Sequence, residues 1–329
     1  MLLDGNDPAA IDRAAALLAD GELVAFATET VYGLGARADD DSAVAKIFAT
    51  KGRPSAHPLI VHVLDATDAE RFAGELSPLA RRLIAAFWPG PLTIIVPRRA
   101  GIGAAAAGGQ ATIGLRCPSH PVARSLLAAA RERGVPGVAA PSANRFGRIS
   151  PTLASHVVDE FGAELAVLDG GACPVGIESA IVDCTRGGPV LLRPGVLSRE
   201  QIEAACGQRL RLPDEVDGPA PRASGTLEAH YAPRAKLRLM TGPMLNTALQ
   251  LLGPEPLKLA VYSRSVPLNT APGVRHRRMP ARPEGAAHEL FSVLRELDAE
   301  GAELIWVEEP PANPEWDGVR DRLQRAAAA

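Results

Sequence analysis

Short apolar runs alternate with amphipathic stretches along the first two thirds of the chain, and glycine-rich or polar turns separate them. Asn6 or Asp7 can cap a first helix that has Pro8 in its first turn, and Gly21 can end it. Amphipathic runs predict further helices at 41–50, 77–87, 120–133, 153–161 and 199–206. Apolar runs bounded by turns predict strands at 22–28, 58–63, 92–96, 111–116, 137–140, 166–168, 180–183 and 190–193. This irregular alternation predicts an α/β fold with a twisted sheet of mixed strand direction and helices packed on it.

The composition changes between Pro213 and Pro233, where four prolines and several small polar residues favour an extended linker. Beyond it the alternation becomes regular, with strands predicted at 236–240, 257–263, 274–279 and 303–308 and helices at 245–252, 284–300 and 315–327. This pattern predicts a smaller parallel, Rossmann-like domain, and no GxGxxG motif assigns it a dinucleotide. The predicted division is a catalytic domain at 1–212, a linker at 213–234 and a C-terminal domain at 235–329.

Net charge, cysteine spacing and the length of apolar runs limit the classes of protein to which this chain can belong. The chain has 329 residues and a net charge of −3, and neither half has the basic excess of a dedicated nucleic-acid binder. The four cysteines are widely spaced and form no CxxC pair, so reduced thiols are expected and a zinc site is not. No run reaches the roughly 18 apolar residues of a membrane span. These features predict a cytoplasmic protein that neither enters a membrane nor binds nucleic acid strongly.

Two separated clusters carry the candidate chemistry. Lys51 and Arg53 are cations with one glycine between them, and Ser142 and Asn144 form a polar pair far downstream. This combination suits a bound polyphosphate. The chain has only four lysines among 35 basic residues, so Lys51 does not come from a lysine-rich surface. From the residues alone, a cation pair that complements the dipole at a helix C-terminus is an equally valid interpretation.

Other polar residues lie where predicted strands and helices end. These are Thr28, Thr30, His57, His62, Thr112, Arg116, Ser150, Ser179 and Arg193. Because many directly abut apolar strands, they are expected along one edge or face of a sheet, and the spacing leaves open whether they form one site. Signatures of P-loop NTPases, serine hydrolases and zinc proteases are absent.

Structural alternatives exist for several of these residues. His62 can be a satisfied histidine at a strand edge, and Arg116 can pair with a structural carboxylate. Glu29 can bind a metal or form an internal ion pair. Gly33 and Gly35 are interpreted as turn residues and not as phosphate contacts.

Seven motifs in order carry a family resemblance: TETVYGLG, KGRPxxxPLIVHV, FWPGPLT, LRCPxHP, APSANxxGxxSPT, GIESAIVD and LLRPG. Together they resemble the YrdC-like family. HYAP, at residues 230–233, leads into the second α/β domain, as in that family's long, two-domain threonylcarbamoyl-adenylate synthases. The chain departs from the usual Pro-Thr-Glu-Thr at Ala27 and from the usual Glu-Ser-Thr at Ala180.

The resemblance implies a reaction that joins L-threonine, bicarbonate and ATP into threonylcarbamoyl-AMP and pyrophosphate. The threonylcarbamoyl group would then serve a tRNA modification through a downstream tRNA threonylcarbamoyl-transferase complex. Mg²⁺ is expected with the ATP phosphates, and no protein side chain is assigned to it. Residues 213–234 are expected to lie across the mouth of the N-terminal site as a lid.

The resemblance also implies roles for individual residues. The catalytic set would be Lys51, Arg53, Ser142 and Asn144. ATP contacts would come from Arg53, His57, Thr112, Ser142, Ser150, Arg193 and Tyr231. Threonine contacts would come from Thr30, His62, Arg116, Ala140 and Ser179. Two other functions remain as alternatives, namely an RNA-binding module and an accessory protein in carbamoyl transfer; the near-neutral charge disfavours the first, and missing zinc-finger or metal-binding transferase patterns disfavour the second.

Overall fold

The computed structural model describes residues 1–252, 258–269 and 273–329. The chain divides into two compact units. Unit 1 contains Met1–Phe146 and Ser150–Thr226, and unit 2 contains Gly147–Ile149 and Leu227–Ala329. The chain therefore contributes to unit 2 twice, first with three residues and later with its whole C-terminal part.

Unit 1 consists of helices arranged around one extended sheet. The helices are α1 (Pro8–Ala19), α2 (Asp41–Lys51), α3 (Ala66–Phe72), α4 (Pro78–Phe87), α5 (Pro121–Glu132), α6 (Ala154–Phe161) and α7 (Arg199–Cys206). The strands are β1 (Leu2–Asp4), β2 (Val24–Phe26), β3 (Gly33–Arg37), β4 (Ile60–His62), β5 (Leu92–Pro97), β6 (Thr112–Arg116), β7 (Val138–Ala139), β8 (Ala166–Asp169), β9 (Ala180–Asp183) and β10 (Val190–Arg193).

The ten strands of unit 1 lie in the order β1-β8-β2-β3-β7-β4-β6-β5-β9-β10. Parallel and antiparallel neighbours are interspersed; β4 runs parallel to β6, for example, and β6 runs antiparallel to β5. The predicted mixed sheet with packed helices is confirmed. The register pairs His62 on β4 with Arg116 on β6, so two predicted site residues occupy adjacent strands.

The ends of α2 place the first cation cluster. Asp40 caps the helix, and its side chain accepts hydrogen bonds from the backbone N–H groups of Ser42 and Ala43. The helix ends at Gly52, which adopts the left-handed conformation with φ of 63°. This turn leaves Lys51 on the last helical turn and directs the chain away at Arg53.

The interpretation of Gly33 and Gly35 as turn residues is wrong, because both lie within β3. A Cβ atom on Gly35 would come 2.8 Å from the Phe26 ring and 2.8 Å from a Val138 methyl group. The glycines therefore allow close packing between strands. A strand of two glycines, a leucine, an alanine and an arginine lacks the β-branched residues that usually mark strands, which explains why its sequence did not predict it.

Unit 2 is a small α/β layer. Its strands are β11 (Lys236–Met240), β12 (Leu259–Ser263), β13 (Val274–Arg278) and β14 (Leu304–Glu308), and its helices are α8 (Gly242–Gln250), α9 (Pro283–Ala299) and α10 (Asp317–Ala327). The strands lie in the order β11-β14-β12-β13, and all neighbours are parallel. The predicted parallel second domain is confirmed; the predicted strand start at Leu257 lies outside the described residues. Within the described ranges, no helix is both long and apolar enough to cross a membrane.

Candidate active site

Lys51 links the two polar clusters that the sequence keeps far apart. Its Nζ donates to the Ser142 carbonyl oxygen at 2.6 Å and also to the carbonyl oxygen of Asn144. The Asn144 N–H bonds back to the Ser142 carbonyl at 3.0 Å, so the loop is a tight turn closed around the ammonium group. The Lys51 side chain thus holds the loop that carries Ser142 and Asn144.

Burial of this ammonium group is nearly complete, since Lys51 is 3 % exposed. Burial, and then the neighbouring Arg53, lower the Lys51 pKa well below its ordinary value, while Glu160 and Glu178 act in the opposite direction. The two carbonyl oxygens fix the Lys51 Nζ in position, while its burial disfavours the charged form of the group.

Arg53 and Arg193 both contact Ser224, which lies after α7 in unit 1. The Arg193 Nη1 donates to the Ser224 carbonyl oxygen at 2.9 Å, and Arg53 Nη2 lies 3.5 Å from the Ser224 hydroxyl. Arg53 also donates to the Pro58 carbonyl at 2.9 Å, and its guanidinium lies 5.5 Å from the centre of the Phe146 ring. Both arginines are thereby oriented on one face of unit 1.

Ser179 belongs to the same group of contacts. Its carbonyl accepts from Arg193 Nε and Nη2 at 3.0 and 2.9 Å, and its hydroxyl lies 2.8 Å from that of Thr93. Ser150 lies elsewhere in unit 1 and donates its hydroxyl to the Glu178 carboxylate. Ser150 and Ser179 are both fully buried, so each hydroxyl is fixed by its partner.

A narrow, partly open cleft lies beside these residues. Its floor includes Ile60, Ile95 and Ile181, which form an apolar cluster with Ala223. Thr112 and Ser224 are among the polar residues that line it. An apolar floor with a few polar groups at its edge is typical of small-molecule sites.

A second group of polar contacts surrounds Arg116. Its Nη2 lies 2.7 Å from the Glu29 carboxylate, its Nη1 donates to the Thr30 hydroxyl at 2.8 Å and its Nε to the Gly90 carbonyl at 3.4 Å. Burial alone would raise the Glu29 pKa, but the charge and hydrogen bonding of Arg116 hold that pKa below its usual value. Among the described residues Nε and Nη1 each donate one hydrogen bond and Nη2 forms the ion pair, so at least two of the five guanidinium N–H groups are left for a ligand carboxylate.

The structure supports the internal ion pair for Glu29 and, at the same time, the pairing of Arg116 with a carboxylate of the protein. Thr30 is further oriented by Thr28: the Thr28 hydroxyl donates to the Val31 carbonyl at 2.6 Å, so the Thr30 hydroxyl, 2.9 Å away, donates to Thr28. Glu29 and Thr30 therefore position Arg116 without using all of its N–H donors.

His62 lies on the strand next to Arg116 and is 3 % exposed. Burial, and then the positive charge of Arg116, lower its pKa to about 3, against a smaller opposing effect of Glu29. The ring is therefore neutral at pH 7. Its Nδ1 has no hydrogen-bond partner among the described residues, although it is buried. A buried polar atom without a partner is available to a ligand.

The remaining predicted residues of unit 1 surround these groups. His57 packs its ring 5.5 Å from that of Phe146, and burial, Arg53 and Arg222 lower its pKa. Thr112 begins β6. Ala140 is buried, and its N–H donates to the Ile60 carbonyl at 2.9 Å, so its contribution to a ligand would come from the backbone.

Tyr231, the predicted ATP contact from the HYAP segment, lies in unit 2 and is 1 % exposed. Its ring packs 5.4 Å from the Phe291 ring, and the Arg322 guanidinium lies 5.4 Å from its centre. The residue has φ of 62°, a conformation that is unusual for an aromatic residue. Backbone strain of this kind clusters at functional positions.

Several residues that the sequence did not single out take part in these contacts. Thr93 is the one hydroxyl in an otherwise apolar strand, which is a detectable signal. Glu178 directly precedes Ser179 in the GIESAIVD motif. Gln110, at the end of the loop between β5 and β6, contacts Arg222 and carries no signal in its local sequence.

A magnesium site built from protein side chains alone is not present in the described residues, which contain no group of three or more His, Cys, Asp or Glu that could hold a metal ion. Mg²⁺ usually keeps several waters and binds through substrate phosphates with one or two carboxylates. Glu178, which accepts a hydrogen bond from Ser150, and Glu160 are the carboxylates whose charges act on Lys51.

Comparison with known proteins shows to which family the chain belongs. The family model described as telomere recombination (Sua5/YciO/YrdC) matches residues 16–195, and that described as the threonylcarbamoyl-AMP synthase C-terminal domain matches residues 197–328. The threonylcarbamoyl-AMP synthase of Bacillus subtilis is 38% identical, over 99% of this chain and 94% of its own length. That of Pyrococcus abyssi is 36% identical, over 95% and 93%.

A solved structure matches the whole fold as well. The crystal structure of Pyrococcus abyssi Sua5 complexed with L-threonine superposes with a TM-score of 0.89 and 34% identity, over 99% of this chain and 97% of that one. The two family models together span both units, and so does each of these relatives. The chain belongs to the Sua5/YciO/YrdC family, in the two-domain form of the threonylcarbamoyl-AMP synthases.

Proposed function

We propose that this chain condenses L-threonine, bicarbonate and ATP into threonylcarbamoyl-AMP, pyrophosphate and water. The observation that carries the proposal is the coexistence in unit 1 of two buried sets of donors. One set, around Arg53 and Arg193, suits a nucleotide polyphosphate; the other, around Arg116 and His62, suits an amino acid. The structure of the Pyrococcus abyssi relative holds L-threonine, which supports threonine as a substrate.

The threonine carboxylate would take the two free N–H groups of Arg116. Glu29 and Thr30 orient the guanidinium, so a bidentate contact costs little further ordering. His62 is neutral and has a free Nδ1, which can bond to the amino or hydroxyl group of threonine without adding a charge. Its low pKa makes the ring a weak base, so we assign it binding and not proton removal. Ala140 and Ser179 complete the proposed set.

The nucleotide would use Arg53, His57, Thr112, Ser142, Ser150 and Arg193, with Tyr231 from the HYAP segment. The reaction first forms a carbamate from the neutral α-amine and bicarbonate. A carbamate oxygen then attacks the α-phosphorus, the bond to the bridging oxygen breaks, and pyrophosphate leaves with the electron pair. Charge builds on the pyrophosphate, and fixed cations lower the energy of that state.

In this scheme the role of Lys51 is to hold the Ser142–Asn144 loop in place. Its ammonium orders the Ser142–Asn144 loop and contributes a buried positive charge near it. Asn144 and Ser142 add neutral hydrogen bonds, and Arg53 adds a planar fork. Mg²⁺ bound to the ATP phosphates would neutralise part of their charge. We propose residues 213–234 as a linker that shields the reactive mixed anhydride from water.

The expected activity is measured by mass spectrometry of the protein with ATP, Mg²⁺, L-threonine and bicarbonate. Threonylcarbamoyl-AMP and pyrophosphate should form together, and omission of either threonine or bicarbonate should abolish both. Equal pyrophosphate release without threonine would reduce the protein to an ATP pyrophosphatase and contradict the proposal. We expect the product to be consumed by a tRNA threonylcarbamoyl-transferase complex in the cytoplasm.

A further inference from the structure

Gln110 pairs with the backbone of Arg222 in both directions. Its Nε2 donates to the Arg222 carbonyl oxygen at 3.1 Å, and the Arg222 N–H donates to its Oε1 at 2.8 Å. One orientation of the side-chain amide satisfies both bonds. The amide thus satisfies both backbone groups of Arg222, its N–H and its carbonyl, as a neighbouring β-strand would. This pairing joins residues 112 positions apart in the chain.

The loop that carries Gln110 is itself firmly held. Arg98 Nε donates to the Gln110 carbonyl at 3.0 Å, and Arg98 Nη1 to the Ile102 carbonyl at 2.9 Å. Gly108 adopts φ of +58°, and a Cβ atom there would come 2.7 Å from the Ala56 carbonyl oxygen. The guanidinium of Arg222 donates to the Gly108 carbonyl at 3.1 Å, which adds a third bond between loop and segment.

The paired segment lies directly on the proposed nucleotide subsite. Ala223, next to Arg222, is 8 % exposed and packs on the apolar floor of the cleft. Ser224 follows, with its carbonyl on Arg193 and its hydroxyl facing Arg53. The two arginines carry like charges, and a neutral hydrogen-bonding residue between them fixes both without neutralising either. The position of Ser224 depends on what holds residues 222 and 223 in place.

We propose that Gln110 is a positioning residue for the nucleotide. It holds Arg222, and thereby sets Ser224 between Arg53 and Arg193, so that both guanidinium groups present a fixed spacing to the phosphates. The inference rests on the proposed function for the identity of the ligand, a nucleoside triphosphate. The positioning itself is a property of the unliganded protein and can be tested without turnover.

The kinetic test compares Gln110→Ala with Gln250→Ala, which makes the same chemical change on the exposed face of α8. Loss of two neutral hydrogen bonds should raise the KM for ATP about tenfold. The KM for threonine should change less than the KM for ATP, because no Arg116 contact involves the segment. Gln110→Glu keeps the acceptor for the Arg222 N–H and loses the donor, so its KM for ATP should fall in between. An unchanged KM for ATP in both Gln110 variants would overturn the proposal.

The second test is independent of activity. Trypsin can cleave after Arg222, and mass spectrometry identifies the fragment that ends there. Without nucleotide, cleavage should be several-fold faster in Gln110→Ala than in wild type or Gln250→Ala, since the segment is released from the loop. Equal rates would contradict the positioning role. If the wild-type protein makes no threonylcarbamoyl-AMP, the proposed function fails, and the cleavage rates still decide whether Gln110 holds the segment.

Discussion

The Lys51 ammonium lies 2.6 Å from the Ser142 carbonyl, a contact between residues 91 positions apart. It converts two sequence motifs into one structural unit. Lys51→Ala should lower turnover by roughly 10²–10³, the usual loss for one preorganised charge-stabilising group. Lys46→Ala, which removes a half-exposed lysine from the same helix, is the matched control and should keep wild-type turnover. Wild-type activity in Lys51→Ala would reduce Lys51 to a helix-end cation.

Arg53→Lys should also be damaging, although it preserves the charge. Arg53 donates from Nε to the His57 carbonyl at 3.4 Å and from Nη2 to the Pro58 carbonyl at 2.9 Å, and one ammonium group cannot reproduce these two separated donors of the planar fork. We expect a KM for ATP raised by about tenfold or more, measured in the coupled pyrophosphate assay. Arg99→Lys, on the surface of the β5–β6 loop, should have no effect. A normal KM in Arg53→Lys would show that a point charge suffices.

Arg116→Ala should weaken threonine binding by about 10²-fold and leave ATP binding nearly intact, since it removes a charge-assisted bidentate contact. Glu29→Gln should give a smaller loss of the same kind, because it releases the guanidinium that Glu29 orients. Calorimetric titration of threonine and of ATP measures both, with the surface variant Arg131→Ala as control. Lost ATP binding with retained threonine binding would reverse the two subsites.

The buried His62 predicts a pH dependence of stability. Its pKa is about 3 in the folded protein and 6.5 when exposed, so between these values the unfolded chain binds a proton that the folded chain does not. The free energy of unfolding should therefore fall on acidification, by up to about 1.4 kcal/mol per pH unit from this residue. His62→Gln should flatten this dependence between pH 6.5 and pH 4 in denaturant titrations. A slope unchanged by His62→Gln would contradict the burial of a neutral ring.

Tyr231→Ala should be costly to stability as well as to turnover. A polar, proline-rich linker predicts little thermal cost, but the ring is buried between Phe291 and Arg322. Large-to-small changes at buried aromatic positions cost about 3–5 kcal/mol. Tyr231→Phe keeps the packing and should keep the melting temperature in calorimetry. If Tyr231→Ala melts like wild type, the ring does not stabilise unit 2.

The linker can be divided by two truncations. A chain that ends at Leu212 should fold and have little synthase activity, because it lacks Ser224 and the HYAP segment. A chain that ends at Thr226 keeps the Ser224 contacts and should bind ATP more tightly than the shorter one. Circular dichroism checks folding in both cases. Full-length rates from the shorter chain would make the linker a passive tether.

The sequence predicts those parts of the fold whose local pattern agrees with their final environment. Helix α7 and strands β9 and β10 have the predicted bounds, because capping residues and apolar runs mark them. Strand β3 is not predicted from the sequence, because its glycines allow close packing against Phe26. Local β-propensity carries no information about such a tertiary contact.

In the candidate site, too, local sequence reveals some features and only the tertiary structure reveals others. Its charged and hydroxyl residues were recognisable by type and family motif, while their partners were not. Glu29 was open between metal ligand and ion pair until Arg116 was placed beside it. Gln110 could not be selected at all, because its only distinguishing contact is with Arg222, far along the chain. Pairings of this kind are properties of the tertiary structure and leave no trace in local sequence.

Because Gly147–Ile149 belongs to unit 2, a cut after Thr226 would separate these three residues from the rest of that unit. Arg148 pairs in a β-bridge with Ala232, the Ala232 N–H donates to the Gly147 carbonyl at 2.9 Å, and the Arg148 guanidinium lies 3.8 Å from Asp298. A break after Thr226 would therefore leave unit 2 incomplete on its own polypeptide. The piece that ends at Thr226 would still carry Gly147–Ile149, so its association with the C-terminal piece would report whether these three residues complete unit 2.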